Sequence, residues 1–213
     1  MIRFILFIIF LLLISILTFL NIIFPTKEGI ILSFVAVVVT IIKFRESFNS
    51  KEKEVEKHSG DWTLIATSIL YFITGIFIIF EFFYKQENLN IFISAIGVIL
   101  FLFATFLRRY SIKTLGDQWA IHATVSSKLP GQVKLVDTGI YKYVRHPIYL
   151  TYIIDLLSLC LLFNSYHSII LIFLLNIPSY IIRAKKEESE SKRRLGKSYE
   201  DYILKTWFIF PFF

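Results

Sequence analysis

Of 213 residues, 56% are hydrophobic and 23 are Phe, and the mean hydropathy is +0.67; this excess over any soluble domain of the size points to a polytopic membrane protein. One cysteine, Cys160, excludes an intramolecular disulfide and argues against a thiolate zinc site; in its apolar surroundings it reads as packing filler. The formal charge of +7 would hint at nucleic acid in a soluble chain, but here its distribution reports topology.

Residues 4–24 carry no charged side chain and, as a helix, reach roughly 32 Å, enough to cross the hydrocarbon core. A secretory signal would be shorter and carry a small-residue cleavage site. Pro25 and Gly29 frame a turn. Residues 29–44 form a second, short span from which Lys43 snorkels. The charge-mixed stretch that follows is a solvated connector. Trp62 opens a third span, to about Tyr84, with aromatics at both ends. Residues 91–107 make a fourth, ending at Arg108 and Arg109. A polar segment, 108–147, reads as a loop with short helices. Residues 148–163 and 168–182 are the last two spans, joined by the short turn "NSYH". From Arg183 the tail is charged and helical.

This is an all-α polytopic bundle of about six transmembrane helices. Twenty-one of the 23 Lys and Arg fall on the side that holds both termini and both long polar segments. The positive-inside rule makes that side cytoplasmic. Residues 1–107 are N-terminal transmembrane helices. Residues 108–213 are a C-terminal core whose last hairpin brings 139–149 and 183–202 together.

Those two pieces carry the chemistry. His146 titrates near neutrality when unperturbed, and Arg145 is a fixed fork for a carboxylate or phosphate. Pro147 suits the first turn of a helix. By itself "RHP" also reads as an interfacial helix start. Arg183 and Glu187 stand at i, i+4 and share a helix face at the membrane boundary; alone they are a surface ion pair. Together a fixed cation and a carboxylate can seat an anionic and a zwitterionic ligand side by side. Tyr141, Tyr143, Tyr149, Tyr199 and Tyr202 read singly as an interfacial belt and jointly as walls for a planar ligand. Asp155, in an apolar run, is costly at about 3 kcal/mol; Asn176 or a serine on a neighbouring helix is its expected partner.

The blocks "LG" at 115–116, "KLVDTGIYKYVRHPIY" at 134–149, "RAKKEE" at 183–188, "LG" at 195–196 and "YEDY" at 199–202 resemble the isoprenylcysteine carboxyl methyltransferases and the related integral-membrane phospholipid methyltransferases. The likeness covers roughly the C-terminal half. It departs from the family at Thr151, where a small residue is usual, at Ser191, and at Leu195, where Phe is usual. The resemblance implies methyl transfer from S-adenosylmethionine to a membrane-embedded, lipophilic or prenylated acceptor, without a metal or nucleic acid. It also implies that Tyr141, His146, Pro147, Ile148 and Tyr149 line the cofactor pocket and that Val133, Lys134, Leu135 and Val136 give backbone contacts. Glu187 would hold the cofactor and Arg183 would face the substrate, the two forming the catalytic pair. A carboxyl acceptor is the first expectation and a lipid amine the alternative. A sterol-type membrane reductase usually has Asn in place of Ile148 and Trp in place of Tyr199. A channel or scaffold lacks an intramembrane polar path.

Overall fold

The computed structural model describes residues 15–25, 27–48, 62–85, 88–116 and 134–210. Most of the first expected span, the connector at 49–61, residues 117–133 with Val133, and residues 211–213 lie outside them. The described chain is helical throughout, with a single isolated bridge, Val144 to Trp207, and no strand.

Residues 15–23 are helix α1. It is tied to α2 (Lys27–Phe48) by the Asn21 amide, which donates to Ser33 Oγ at 2.7 Å. Helices α3 (Trp62–Lys85) and α4 (Ile91–Leu115) follow. Then come α5 (Pro147–Leu162), α6 (Ser168–Leu195) and the short α7 (Lys197–Ile203). Among the described residues, α3, α4 and α6 are long and apolar enough to cross a bilayer, and α5 is apolar but only 16 residues long. Phe72, Ile99, Phe103, Phe106 and Phe173 point outward from these helices. Such an apolar exterior suits acyl chains rather than water, and the chain is an integral membrane protein.

The α4–α5 pair packs most closely. Gly97 makes this possible: a Cβ there would lie 2.5 Å from the backbone N of Leu162 and 2.8 Å from the carbonyl O of Ser158. Ser94 Oγ donates to the Leu162 carbonyl at 2.9 Å, and Asn164 donates to Ser94 at 2.9 Å, so the turn after α5 is stitched to the start of α4. Gly97→Ala must push two backbones apart. It is expected to lower stability by about 1–3 kcal/mol, read as a lower unfolding temperature in micelles. An unchanged midpoint would mean the pair has slack.

At the same end of the bundle, Glu81 of α3 caps α6. Its carboxylate accepts from the backbone N–H groups of His167 and Ser168, at 3.0 and 2.8 Å, and from Ser168 Oγ at 2.6 Å. An anion at a helix N-terminus faces the positive end of the dipole. Ser165 is buried beside it and donates to the Ile78 carbonyl at 2.8 Å. The polar turn at 164–167 is thus an internal joint of the bundle. Between α3, α5 and α6 lie Ile78, Phe83, Leu156, Cys160 and Ile172. Cys160 is packed there as the sequence suggests.

Two elements run differently from expectation. Helix α4 does not stop at Arg108 but continues to Leu115. Arg108 turns inward, lies 4.3 Å over the Tyr152 ring and donates to its hydroxyl at 2.9 Å, so its charge does not end the span. Within α6, residues Ile172–Asn176 form one wider π turn. The Asn176 amide there donates to Thr74 Oγ1 at 2.6 Å and ties α6 to α3.

Candidate functional site

The site lies at the charged end of α5 and α6, opposite Glu81. Its first piece is a 3-10 turn, Gly139–Lys142. Gly139 opens it at φ +57°, and a Cβ there would stand 3.0 Å from the Tyr110 hydroxyl. The left-handed backbone favours glycine, and any added Cβ would also have to displace the Tyr110 and Thr114 side chains slightly. Pro147 then starts α5 where its missing N–H leaves no intrahelical bond unmade. His146 is held immediately before the helix. The second piece is α6 after Tyr180, where Arg183, Glu187 and Glu188 fall on the inward face.

A third piece closes the site. After α7 the chain turns back beside residues 143–146. Trp207 N donates to the Tyr143 carbonyl at 2.8 Å, Arg145 N to Trp207 at 2.8 Å and His146 N to Phe208 at 3.1 Å. Tyr202 of α7 donates to the Tyr141 carbonyl at 2.7 Å. The tail is therefore a strap across the loop.

Arg145 is the rivet of that strap. Its Nε donates to Glu188 Oε1 at 2.6 Å. Its Nη1 donates to the carbonyls of Ile203 (3.1 Å), the last residue of α7, and of Thr206 in the turn that follows. The guanidinium has little exposure left for a ligand, only 9% of the side chain. The basic pair at 145–146 thus divides its labour: Arg145 joins loop, helix and tail, and His146 faces the carboxylates. His146 Nε2 lies 3.4 Å from Glu188 Oε1, and Nδ1 lies 3.9 Å from Glu187 Oε2.

The other half of the cluster centres on Tyr149. Its hydroxyl donates to Glu187 Oε1 at 2.6 Å and accepts from Arg183 Nε at 2.8 Å. Arg183 Nη2 also lies 3.3 Å from Glu187 Oε1, and Nη1 reaches Thr63 of α3 at 3.5 Å. Arg183 is 5% exposed, deeper than a boundary residue. Glu187, at 22%, is the most open member of this triad. Tyr141 is buried, and its hydroxyl has no hydrogen-bond partner among the described residues. Burial first, then Tyr202 and Glu187 nearby, push its ionisation well above the ordinary phenol value, so it stands as a neutral hydroxyl.

The expected residues fall as follows. Tyr141, His146, Tyr149, Arg183 and Glu187 are brought to one place. Pro147 and Ile148 are buried in the first turn of α5 beside them. Lys134, Leu135 and Val136 form non-helical backbone leading into the 3-10 turn. Glu188, Thr63 and Phe208 escaped the sequence reading. Only Glu188 left a signal there: a buried Arg145 needs a carboxylate, and "RAKKEE" offers two.

Chemically, the cluster presents carboxylates beside aromatic faces and a guanidinium, with an apolar bundle behind. Such a set can hold a cationic or zwitterionic ligand and an anionic one together.

Comparison with known proteins bears on the same segment. The model of the isoprenylcysteine carboxyl methyltransferase (ICMT) family matches residues 97–192. The protein-S-isoprenylcysteine O-methyltransferase of Dictyostelium discoideum is 30% identical over 112 residues, 53% of this chain and 46% of that protein. The chain therefore aligns with about half the length of this curated relative. The solved structure of the eukaryotic intramembrane Ras methyltransferase ICMT shares the fold, with a TM-score of 0.55 at 19% identity, covering 97% of this chain and 85% of the other.

Proposed function

We propose that this chain is an integral-membrane methyltransferase that moves a methyl group from S-adenosylmethionine to a lipophilic acceptor, the carboxylate of an isoprenylcysteine-like substrate. The observation that carries the reading is the single hydrogen-bonded cluster of Tyr149, Arg183 and Glu187, with His146 against it, at the charged end of an apolar hairpin. It lies inside the segment matched by the family model.

The residues present fit such a donor. Tyr141 offers a buried hydroxyl that has no hydrogen-bond partner among the described residues, and Glu187 offers a carboxylate beside it. In this reading Tyr141, His146, Pro147, Ile148, Tyr149 and Glu187 hold the cofactor, and the backbone of Lys134, Leu135 and Val136 borders it. S-adenosylmethionine supplies a methyl group already activated by its positively charged sulfur. The protein then has to align the acceptor with that methyl and exclude water. Glu187 supplies negative charge toward the cationic ligand. Arg183, a fixed positive charge at the inner edge of the cluster, orients the acceptor carboxylate. That carboxylate is itself nucleophilic, so the site needs no strong base.

Six spans, cytoplasmic termini and a core at 108–213 belong to the same reading. The charge bias supports the orientation. Thr63 brings a residue of the N-terminal helices to the core. Lipid then reaches the site between helices and the cofactor reaches it from the cytosol.

The test uses purified protein in lipid with methyl-labelled S-adenosylmethionine, a prenylcysteine analogue and a total lipid extract. Base treatment of the product should release volatile labelled methanol, the mark of a methyl ester. Base-stable label in a lipid would replace the carboxyl acceptor by an amine. No labelled product would overturn the reading.

A further inference from the structure

Four aromatic rings form a continuous column through the site. His146 stacks on Tyr149 with centroids 5.5 Å apart and planes 22° apart. Tyr149 stacks on Tyr180 at 5.8 Å and 11°, and Tyr180 on Tyr152 at 5.7 Å and 18°. The edge of Phe208 closes one end at 5.2 Å from His146, and the Arg108 guanidinium closes the other over Tyr152. The column therefore runs from the C-terminal strap to the interior of the bundle. Its rings come alternately from α5 and α6 below His146.

Tyr149 is the ring that matters chemically, because its hydroxyl holds Glu187 and Arg183 at once. A phenol that must serve two partners needs its ring plane fixed. Tyr149 is stacked by His146, which a ligand at the site would contact, and by Tyr180, which is 2% exposed and out of a ligand's reach, so Tyr180 carries the constraint. Its own hydroxyl is buried and has no hydrogen-bond partner among the described residues, and the contact with Tyr149 is made by its ring.

We infer that Tyr180 is a positioning residue: its ring, braced by Tyr152 and Arg108, fixes Tyr149 and through it the Arg183–Glu187 pair. The inference rests on the methyltransferase reading of the site. A ring at position 180 is required and a hydroxyl is not. Misplacement of catalytic groups by a fraction of an ångström is costly in rate even when binding survives.

The experiment compares Tyr180→Phe with Tyr180→Leu in the full-length protein in lipid. Tyr180→Phe should keep wild-type kcat. Tyr180→Leu should lose about tenfold or more in kcat, with KM for S-adenosylmethionine changed by less than about threefold. Tyr152→Leu, at the next ring, should give the same split if Tyr180→Leu does not fold. Equal loss in Tyr180→Phe and Tyr180→Leu would overturn the inference, because the hydroxyl would then be the working group. Full activity in Tyr180→Leu would overturn it as well. A readout without turnover separates this from failure of the functional reading. In 15N-arginine-labelled protein the Arg183 Nε–H, identified by its loss in Arg183→Lys, should be protected in wild type and Tyr180→Phe and exchange-broadened in Tyr180→Leu. That pattern stands even if wild type transfers no methyl group, and its absence sinks the column whatever the reaction is.

Discussion

Arg145→Met is expected to destabilise the protein by about 3–5 kcal/mol, the range for removing one partner of a buried ion pair. Three losses coincide. Glu188, 13% exposed at its side chain, keeps its charge and loses its shortest partner. The Ile203 carbonyl at the end of α7 and the Thr206 carbonyl in the turn after it lose their shared donor. Phe208 loses the guanidinium 5.6 Å from its ring centre. Met fills similar volume, so the effect isolates charge and hydrogen bonds from packing. Lys should not rescue, because one ammonium cannot serve the carboxylate and two carbonyls in the geometry of the fork. Thermal unfolding in lipid micelles reads the loss. Adding Glu188→Gln to Arg145→Met should recover part of it, since the stranded charge is then gone. Wild-type stability in Arg145→Met would mean the strap is held by its backbone bonds and the Tyr202 hydroxyl without help from the guanidinium.

Glu187→Ala is expected to lower methyl transfer by about 10²–10³-fold, the usual scale for losing one preorganised electrostatic group. The substitution removes the acceptor of the Tyr149 hydroxyl and leaves Arg183 without its i+4 carboxylate. Glu187 sits at the open edge of the cluster, so the bundle itself should remain folded. S-adenosylhomocysteine, titrated calorimetrically, should bind more weakly to Glu187→Ala than to wild type. Unchanged affinity would remove Glu187 from the cofactor site and leave it a structural partner of Arg183.

Hydropathy made the apolar segments legible because burial in lipid demands an almost uncharged stretch. The rule failed where a charge was satisfied inside. Arg108 looked like the end of a span, yet the Tyr152 ring and hydroxyl receive it, and α4 runs on to Leu115. Reading a partner 44 residues away on the next helix is beyond any local pattern. The two halves of the site were legible because a tight hairpin forces its flanks together, and Gly139, Pro147 and the Arg183–Glu187 spacing each carry local geometry. The strap was not legible. "TWFIFPFF" reads only as an apolar end, and its pairing with 143–146 is made by backbone groups that no side chain announces. Glu187 and Glu188 also stand adjacent, and only three-dimensional placement gives one to Tyr149 and Arg183 and the other to Arg145.

The most direct test of the central claim is ultraviolet cross-linking of methyl-labelled S-adenosylmethionine to the wild-type protein in lipid, followed by peptide mapping. The account predicts saturable label on peptides from 139–149 or 183–202, competed by S-adenosylhomocysteine and lost in Glu187→Ala. Label confined to other segments, or labelling that no competitor displaces, would contradict it.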